Sequence, residues 1–132
     1  MMDHLEEARA YFAADRYAVE ATACVIDAVG EKYARCSLTL QPKHRNAVGQ
    51  VMGGVAYTLA DFAMAVAANF HQPLTVTLSS SIQYLGTVRG TRLIAETRLI
   101  KDGRRNCVYE VNVTDDLGTP VALVVSTGAH VS

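Results

Sequence analysis

Residues 51–70 read VMGGVAYTLADFAMAVAANF, twenty positions with one charge, Asp61. Twenty apolar residues is the length of a bilayer crossing. This stretch is lean for lipid, however: it holds Gly53, Gly54, many alanines and an ionisable group near its middle. It also lacks flanking aromatic anchors and a one-sided excess of Lys and Arg. The reading is a long helix buried inside a soluble fold, with no membrane partner.

The rest of the chain organises around that helix. A loop with Pro42, Asn46 and Gly49 leads into it, and Pro73 is expected to close it. Asp3 is a plausible N-cap for a first helix running to about Ala14, with Leu5, Ala8 and Phe12 at helical spacing. TACVIDAV (22–29) and YARCSLTL (33–40) read as strands joined by Gly30-Glu31-Lys32. In the second, Tyr33, Arg35, Ser37 and Thr39 alternate with Ala34, Cys36, Leu38 and Leu40, as in a half-buried strand. Downstream come LTVTLSSSIQYL (74–85), RLIAETRLIK (92–101), RNCVYEVNVT (105–114) and TPVALVVSTGAHV (119–131). Asp102-Gly103 and Asp116-Leu117-Gly118 separate the last three as hairpin turns. Helix, two strands, long helix, four strands predicts an α+β fold, an antiparallel six-stranded sheet packed on one long helix. The long helix is apolar on nearly every side, which one sheet cannot cover. A second copy of the chain is therefore expected to complete its burial.

Composition sets the bounds. The chain has 132 residues, half of them apolar and 19% charged, which fits one globular domain over 1–132 with a core that needs no staples. Twelve Lys and Arg against 13 Asp and Glu leave a net charge of −1, which argues against a nucleic-acid binder. Cys24, Cys36 and Cys107 are odd in number and far apart, so they suggest neither a disulfide framework nor a metal pair. The acidic start MMDHLEEARAYF is unlike a signal peptide, and a cytoplasmic location is expected. His4, His71 and His130 read as scattered, so no metal and no cofactor is expected.

The chemistry concentrates in HRNAVGQVMGGVAYTLAD (44–61). Gly53 and Gly54 sit where loop becomes helix, so a ligand can approach the backbone closely. The free N–H groups and positive dipole end of that first turn suit an anion or a developing oxyanion. Asp61, a lone carboxylate in an apolar helix, is costly unless paired, solvated in a cleft, or chemically used. Eight residues of helix span about 12 Å, too far for Gly53 and Asp61 of one chain to act on one carbonyl. Two such helices packed antiparallel about a twofold axis would bring Gly53 of one opposite Asp61 of the other, making two composite sites.

The pattern Asn46, Gly49, Gly53, Gly54, Leu59, Asp61, with Ile82-Gln83-Tyr84-Leu85 and Gly103-Arg104-Arg105, resembles the hotdog-fold acyl-CoA thioesterases, in the branch typified by the phenylacetate-pathway thioesterase. The resemblance covers nearly the whole chain. It implies a hotdog fold in which the sheet wraps the central helix, and hydrolysis of an acyl-CoA or aryl-CoA thioester. It implies that the Gly53 N–H polarises the carbonyl, that Asn46 orients the site, and that Asp61 of a partner subunit is nucleophile or general base. A strand hydroxyl would support that carboxylate: Thr77 by spacing, with Ser79 and Ser81 as alternatives on the same strand face. Arg104 and Arg105 would meet the phosphates of coenzyme A, and His44 and Gly54 would lie near the substrate. The family commonly forms tetramers built from dimers. One departure is Met52, where relatives carry a histidine; a methionine cannot donate a hydrogen bond, although the Gly53 N–H is untouched. The same fold could serve as a non-catalytic acyl-CoA binder. No Gly-x-Ser-x-Gly elbow or phosphate-binding loop is present. A dehydratase would need a carboxylate–histidine pair, for which only His44 is at hand.

Overall fold

The computed structural model describes residues 3–131. Helix α1 (His4–Phe12) is started by Asp3, whose Oδ1 accepts from the Glu6 N–H at 2.8 Å, and it buries Ala8 and Phe12. A π-helical turn (Tyr17–Ala21) follows, then β1 (Val25–Gly30) and β2 (Tyr33–Thr39). A short 3-10 turn (Pro42–His44) and a loop lead into α2 (Gly53–Asn69). The chain then forms β3 (Thr75–Tyr84), β4 (Arg92–Asp102), β5 (Asn106–Asp115) and β6 (Pro120–His130). The six strands form one antiparallel sheet in the order β1-β2-β4-β5-β6-β3. Its inner face curls around α2, which is the hotdog arrangement. All eight long elements stand where the sequence places them. α2 ends four residues before Pro73, because Phe70 turns extended and His71 adopts a left-handed backbone, φ 55°.

Small residues make the wrap possible. Ala56, Ala60, Ala63, Ala67 and Ala68 of α2 are buried, letting the sheet approach, and Leu59 and Val66 fill the space against Leu38, Leu93, Val111 and Val124. Nine of the helix's seventeen residues are buried within the protomer. The other eight stay partly or fully open, as expected if one sheet cannot cover every side of α2. A stripe with Gly54 and Asp61 exposed and Thr58 and Ala65 half-buried recurs at helical spacing, and Gly53, Val55, Tyr57 and Asn69 are half-buried too. Five of the exposed large apolar side chains, Leu74, Val76, Leu78, Tyr84 and Leu85, lie on and beside edge strand β3.

β3 contains the one irregularity that matters for the site. Thr77 pairs with Gly128 but Ser79 pairs with Thr127, leaving Leu78 as a bulge. The bulge reverses the inward-outward alternation. Thr77, Ser80, Ile82 and Tyr84 lie on the face toward α2, opposite the inward Gly128, Ser126, Val124 and Ala122. Ser79 and Ser81 pair with Thr127 and Val125 and point away from the helix, so the expectation that they share a face with Thr77 is corrected.

Candidate active site

The entrance to α2 is built by its preceding loop. His44 is 2% exposed; its Nδ1 accepts from the Gln41 N–H at 3.0 Å and its Nε2 lies 2.8 Å from the Thr22 carbonyl. Both ring nitrogens are thus committed, and the histidine is a buried brace rather than a ligand-facing or proton-transferring group. That corrects its expected place beside the substrate and removes it as a dehydratase partner. Its carbonyl accepts from the Met52 N–H at 2.9 Å, tying the brace to the helix start. Asn46 closes the loop above it: Oδ1 accepts from the Val48 and Gln50 N–H groups, at 3.1 and 3.0 Å. Gly49 follows with φ 83°, a conformation that favours glycine.

Met52 caps α2 without a side-chain acceptor and is half exposed. Gly53 opens the helix, so its N–H has no partner within it. A cavity of about 200 Å³ lies in front, lined by Met52, Gly53, Ala56, Tyr84, Thr87 and Val88. Tyr84 is its wall: a Cβ added to Gly53 would sit 2.6 Å from the Tyr84 hydroxyl oxygen. Gly54 has open space around it.

Asp61 lies two turns further along, on the open stripe, and lines a second cavity of about 290 Å³ with Asp15, Arg16, Tyr17, Thr58 and Phe62. Its tip reaches solvent, yet the surrounding protein strips enough water to push its carboxyl above the ordinary range, and the charge of Asp15 pushes the same way. Thr77 approaches one turn beyond, its hydroxyl 3.9 Å from Met64 Sδ. Within one protomer, then, Gly53 and Asp61 open into different cavities.

Arg104 and Arg105 stand exposed in the β4–β5 turn beside the far end of α2. They share a cavity of about 610 Å³ with Lys32, Gln72, Asp102 and His130. Asp102 is held well below the usual carboxylate range, first by the Lys32 ammonium at 2.5 Å and also by His130 at 3.0 Å.

Three features escaped the sequence reading. Tyr84 was visible only as part of a motif, not as the wall over Gly53. The Asp15–Tyr17 wall of the Asp61 cavity had no periodic signal to reveal it. The histidines are not scattered: His130 stands with Asp102, but His4 and His71 meet, together with Glu7.

One six-stranded antiparallel sheet wrapped on a single long helix is the hotdog fold. The family model of the thioesterase superfamily matches residues 48–122, more than half of the chain, and the protein belongs to that superfamily. A curated protein of Archaeoglobus fulgidus provisionally named an esterase is 31% identical over 98 residues, 74% of this chain and 64% of that one. The match thus spans a little under two thirds of that relative's length. Among solved structures, a mutant of the phenylacetic acid degradation protein PaaI from Thermus thermophilus is 28% identical. It superposes with a TM-score of 0.79 over 86% of this chain and 97% of its own. A hypothetical thioesterase from Streptococcus pneumoniae, solved with coenzyme A, shares the fold at 22% identity, with a TM-score of 0.84 over 94% and 97% of the two chains.

Proposed function

We propose that the protein hydrolyses an acyl-CoA or aryl-CoA thioester to the free acid and coenzyme A, at sites shared between two copies of the chain. The observation that carries this reading is the division of the chemistry. Gly53, whose N–H has no partner within the helix, lines one cavity, while a carboxylate with a raised pKa stands on the open stripe of the same helix, about 12 Å further along. Antiparallel packing of two α2 stripes joins the halves. The open edge of β3, with Leu74, Val76 and Leu78 in solvent, supports the same dimer.

In that site the Gly53 N–H donates to the thioester oxygen and stabilises the charge that builds there during attack. Asp61 of the other subunit either attacks the carbonyl carbon or takes a proton from the attacking water, and the coenzyme A thiolate leaves. Asn46 holds the loop that aims Gly53, and Thr77 supports the carboxylate. The register that sets 53 against 61 places the partner's helix end beyond the start of this one. The partner's Arg104 and Arg105 then reach over the entrance, where coenzyme A phosphates would lie. That the Streptococcus pneumoniae relative was solved with coenzyme A supports a coenzyme A thioester as the substrate. A cavity of about 170 Å³ between α1, β1 and Phe62, lined by Phe12, Val19, Cys24, Ile26 and Arg9, shares Phe62 with the Asp61 cavity and offers room for a small acyl or aryl group.

The test is thiol release across a panel of acyl- and aryl-CoA thioesters, with Asp61→Asn alongside. Wild type is expected to turn over, and the variant to fall by about 10³-fold or more while still folding. Undiminished Asp61→Asn activity would remove Asp61 from the mechanism. Silence from both, with thioesters still bound, would favour an acyl-CoA binding or sensing protein. Met52 in place of a donor at the helix cap is the observation that favours that second reading.

A further inference from the structure

Away from this site, two histidines and a carboxylate converge where the start of α1 meets the turn after α2. We propose that His4, Glu7 and His71 bind a divalent transition-metal ion of the zinc class, clasping the N-terminal helix to the end of α2. His4 and Glu7 are three residues apart and share one face of α1. His71 reaches them from a left-handed backbone position, φ 55°, which few L residues occupy. The ligating atoms of the three side chains all lie within 4.8 Å of one another, with His71 Nε2 2.6 Å from Glu7 Oε2.

The rings are set from beneath. Phe70, buried at the helix end, stacks on His71 with centroids 4.1 Å apart and planes 17° apart, and His4 meets it edge-on at 6.0 Å. The two imidazoles stand edge-to-face at 5.4 Å. The hydrogen bond between His71 and Glu7 and the edge-on packing of His4 against Phe70 and His71 bring the three side chains together, and a metal would use all three. Ligands about 2.0–2.1 Å from a zinc ion stand roughly 3.4 Å apart at tetrahedral angles. Small rotations of these side chains, which reach solvent, close the present spread. Two imidazoles and one carboxylate suit zinc, cobalt or nickel, whereas magnesium and calcium favour all-oxygen sets. A cavity of about 200 Å³ lined by His4, His71, Glu31 and Gln72 leaves room for solvent in the remaining position. Because the chain passes from α1 through a short turn to Asp15 and Tyr17, the clasp would also tether the wall of the Asp61 cavity.

The test uses the full, untagged chain stripped with a chelator. Co²⁺ is titrated and followed by its visible absorption, and Zn²⁺ by competition with a chromogenic chelator. One ion per chain is expected, with affinity lowered tenfold or more in His4→Ala and in His71→Ala, and unchanged in His130→Ala. Zn²⁺ should raise the melting temperature of the wild type and not that of His4→Ala. If His71→Ala fails to fold, His4→Ala and Glu7→Gln, both on the solvent side of α1, carry the test. No stoichiometric binding by the wild type, or equal affinity in the His4→Ala variant, overturns the proposal. Binding that survives in the His4→Ala/His71→Ala double variant overturns it too.

Discussion

Alanine at Gly53 separates the backbone role of this residue from its role in helix packing. A Cβ there would lie 2.6 Å from the Tyr84 hydroxyl oxygen, 2.8 Å from Cζ and 3.1 Å from Cε1. Comfortable contacts of that kind are about 3.5–4.0 Å, so the ring must retreat by about 1 Å. Tyr84 is 56% exposed, and moving it costs little packing. Alanine's better helix propensity offsets up to about 1 kcal/mol of that cost. The net change in stability should therefore stay within about 1 kcal/mol, a few degrees in Tm for a domain of this size. Activity should respond far more. Tyr84 forms the wall of the cavity in which the proposed carbonyl meets the Gly53 N–H, and a displacement of about 1 Å in such a site costs about 10²-fold, or roughly 2.7 kcal/mol of barrier. Thiol-release rates and thermal melts on Gly53→Ala, Tyr84→Ala and the double variant measure both quantities. If the loss runs through the ring, Gly53→Ala should cost much less on the Tyr84→Ala background, a non-additive cycle. Full activity in Gly53→Ala would refute the assignment of this cavity. An equal cost on both backgrounds would refute the role of Tyr84.

The other predictions follow from charge. The acid limb of the kcat/KM–pH profile should fall above the ordinary aspartate range, about 3.9, because burial and Asp15 raise the Asp61 carboxyl; Asp15→Asn should move that limb to lower pH. A carboxyl raised on folding destabilises the native state once ionised, so Asp61→Asn should melt above wild type at pH 7, with the gap closing as pH falls through the native pKa. Asp115 behaves oppositely: it is 1% exposed, and although burial opposes its charge, the N–H groups of Arg89, Thr119, Gly90 and Leu117, at 2.8–3.0 Å, hold it well below the usual range. Its stabilisation should be full above about pH 4 and fade as pH falls further. Asp115→Asn, which turns an amide NH₂ toward backbone donors, should cost about 2–4 kcal/mol in denaturant unfolding. Arg104→Glu with Arg105→Glu should raise KM for a CoA thioester by about tenfold with kcat little changed, and should flatten the salt dependence expected of wild type.

What the sequence disclosed and what it concealed divide by the range of the interactions involved. The alanine-rich run of α2, the alternation in β2 and the Asp102-Gly103 turn are local, and the elements they predict stand within about three residues of expectation. The bulge at Leu78 is not local: it is set by how β3 registers against β6, and three serines in succession at 79–81 hide which of them turns inward. His44 looked like a loop residue because its partner, the Thr22 carbonyl, is 22 residues away. His4 and His71 looked scattered because only the crossing of α1 over the end of α2 joins them. The spacing of Gly53 and Asp61 belongs to the legible kind, since one continuous helix sets it at about 12 Å however the rest of the chain packs. No repacking of a protomer can shorten that distance. On the proposed mechanism a carbonyl held at Gly53 meets a carboxylate from elsewhere, and the described residues that line the Gly53 cavity include no acid. The nearest source with the right chemistry would be the open stripe of a second α2, so the proposed reaction and the residues left open on that helix call for the same partner.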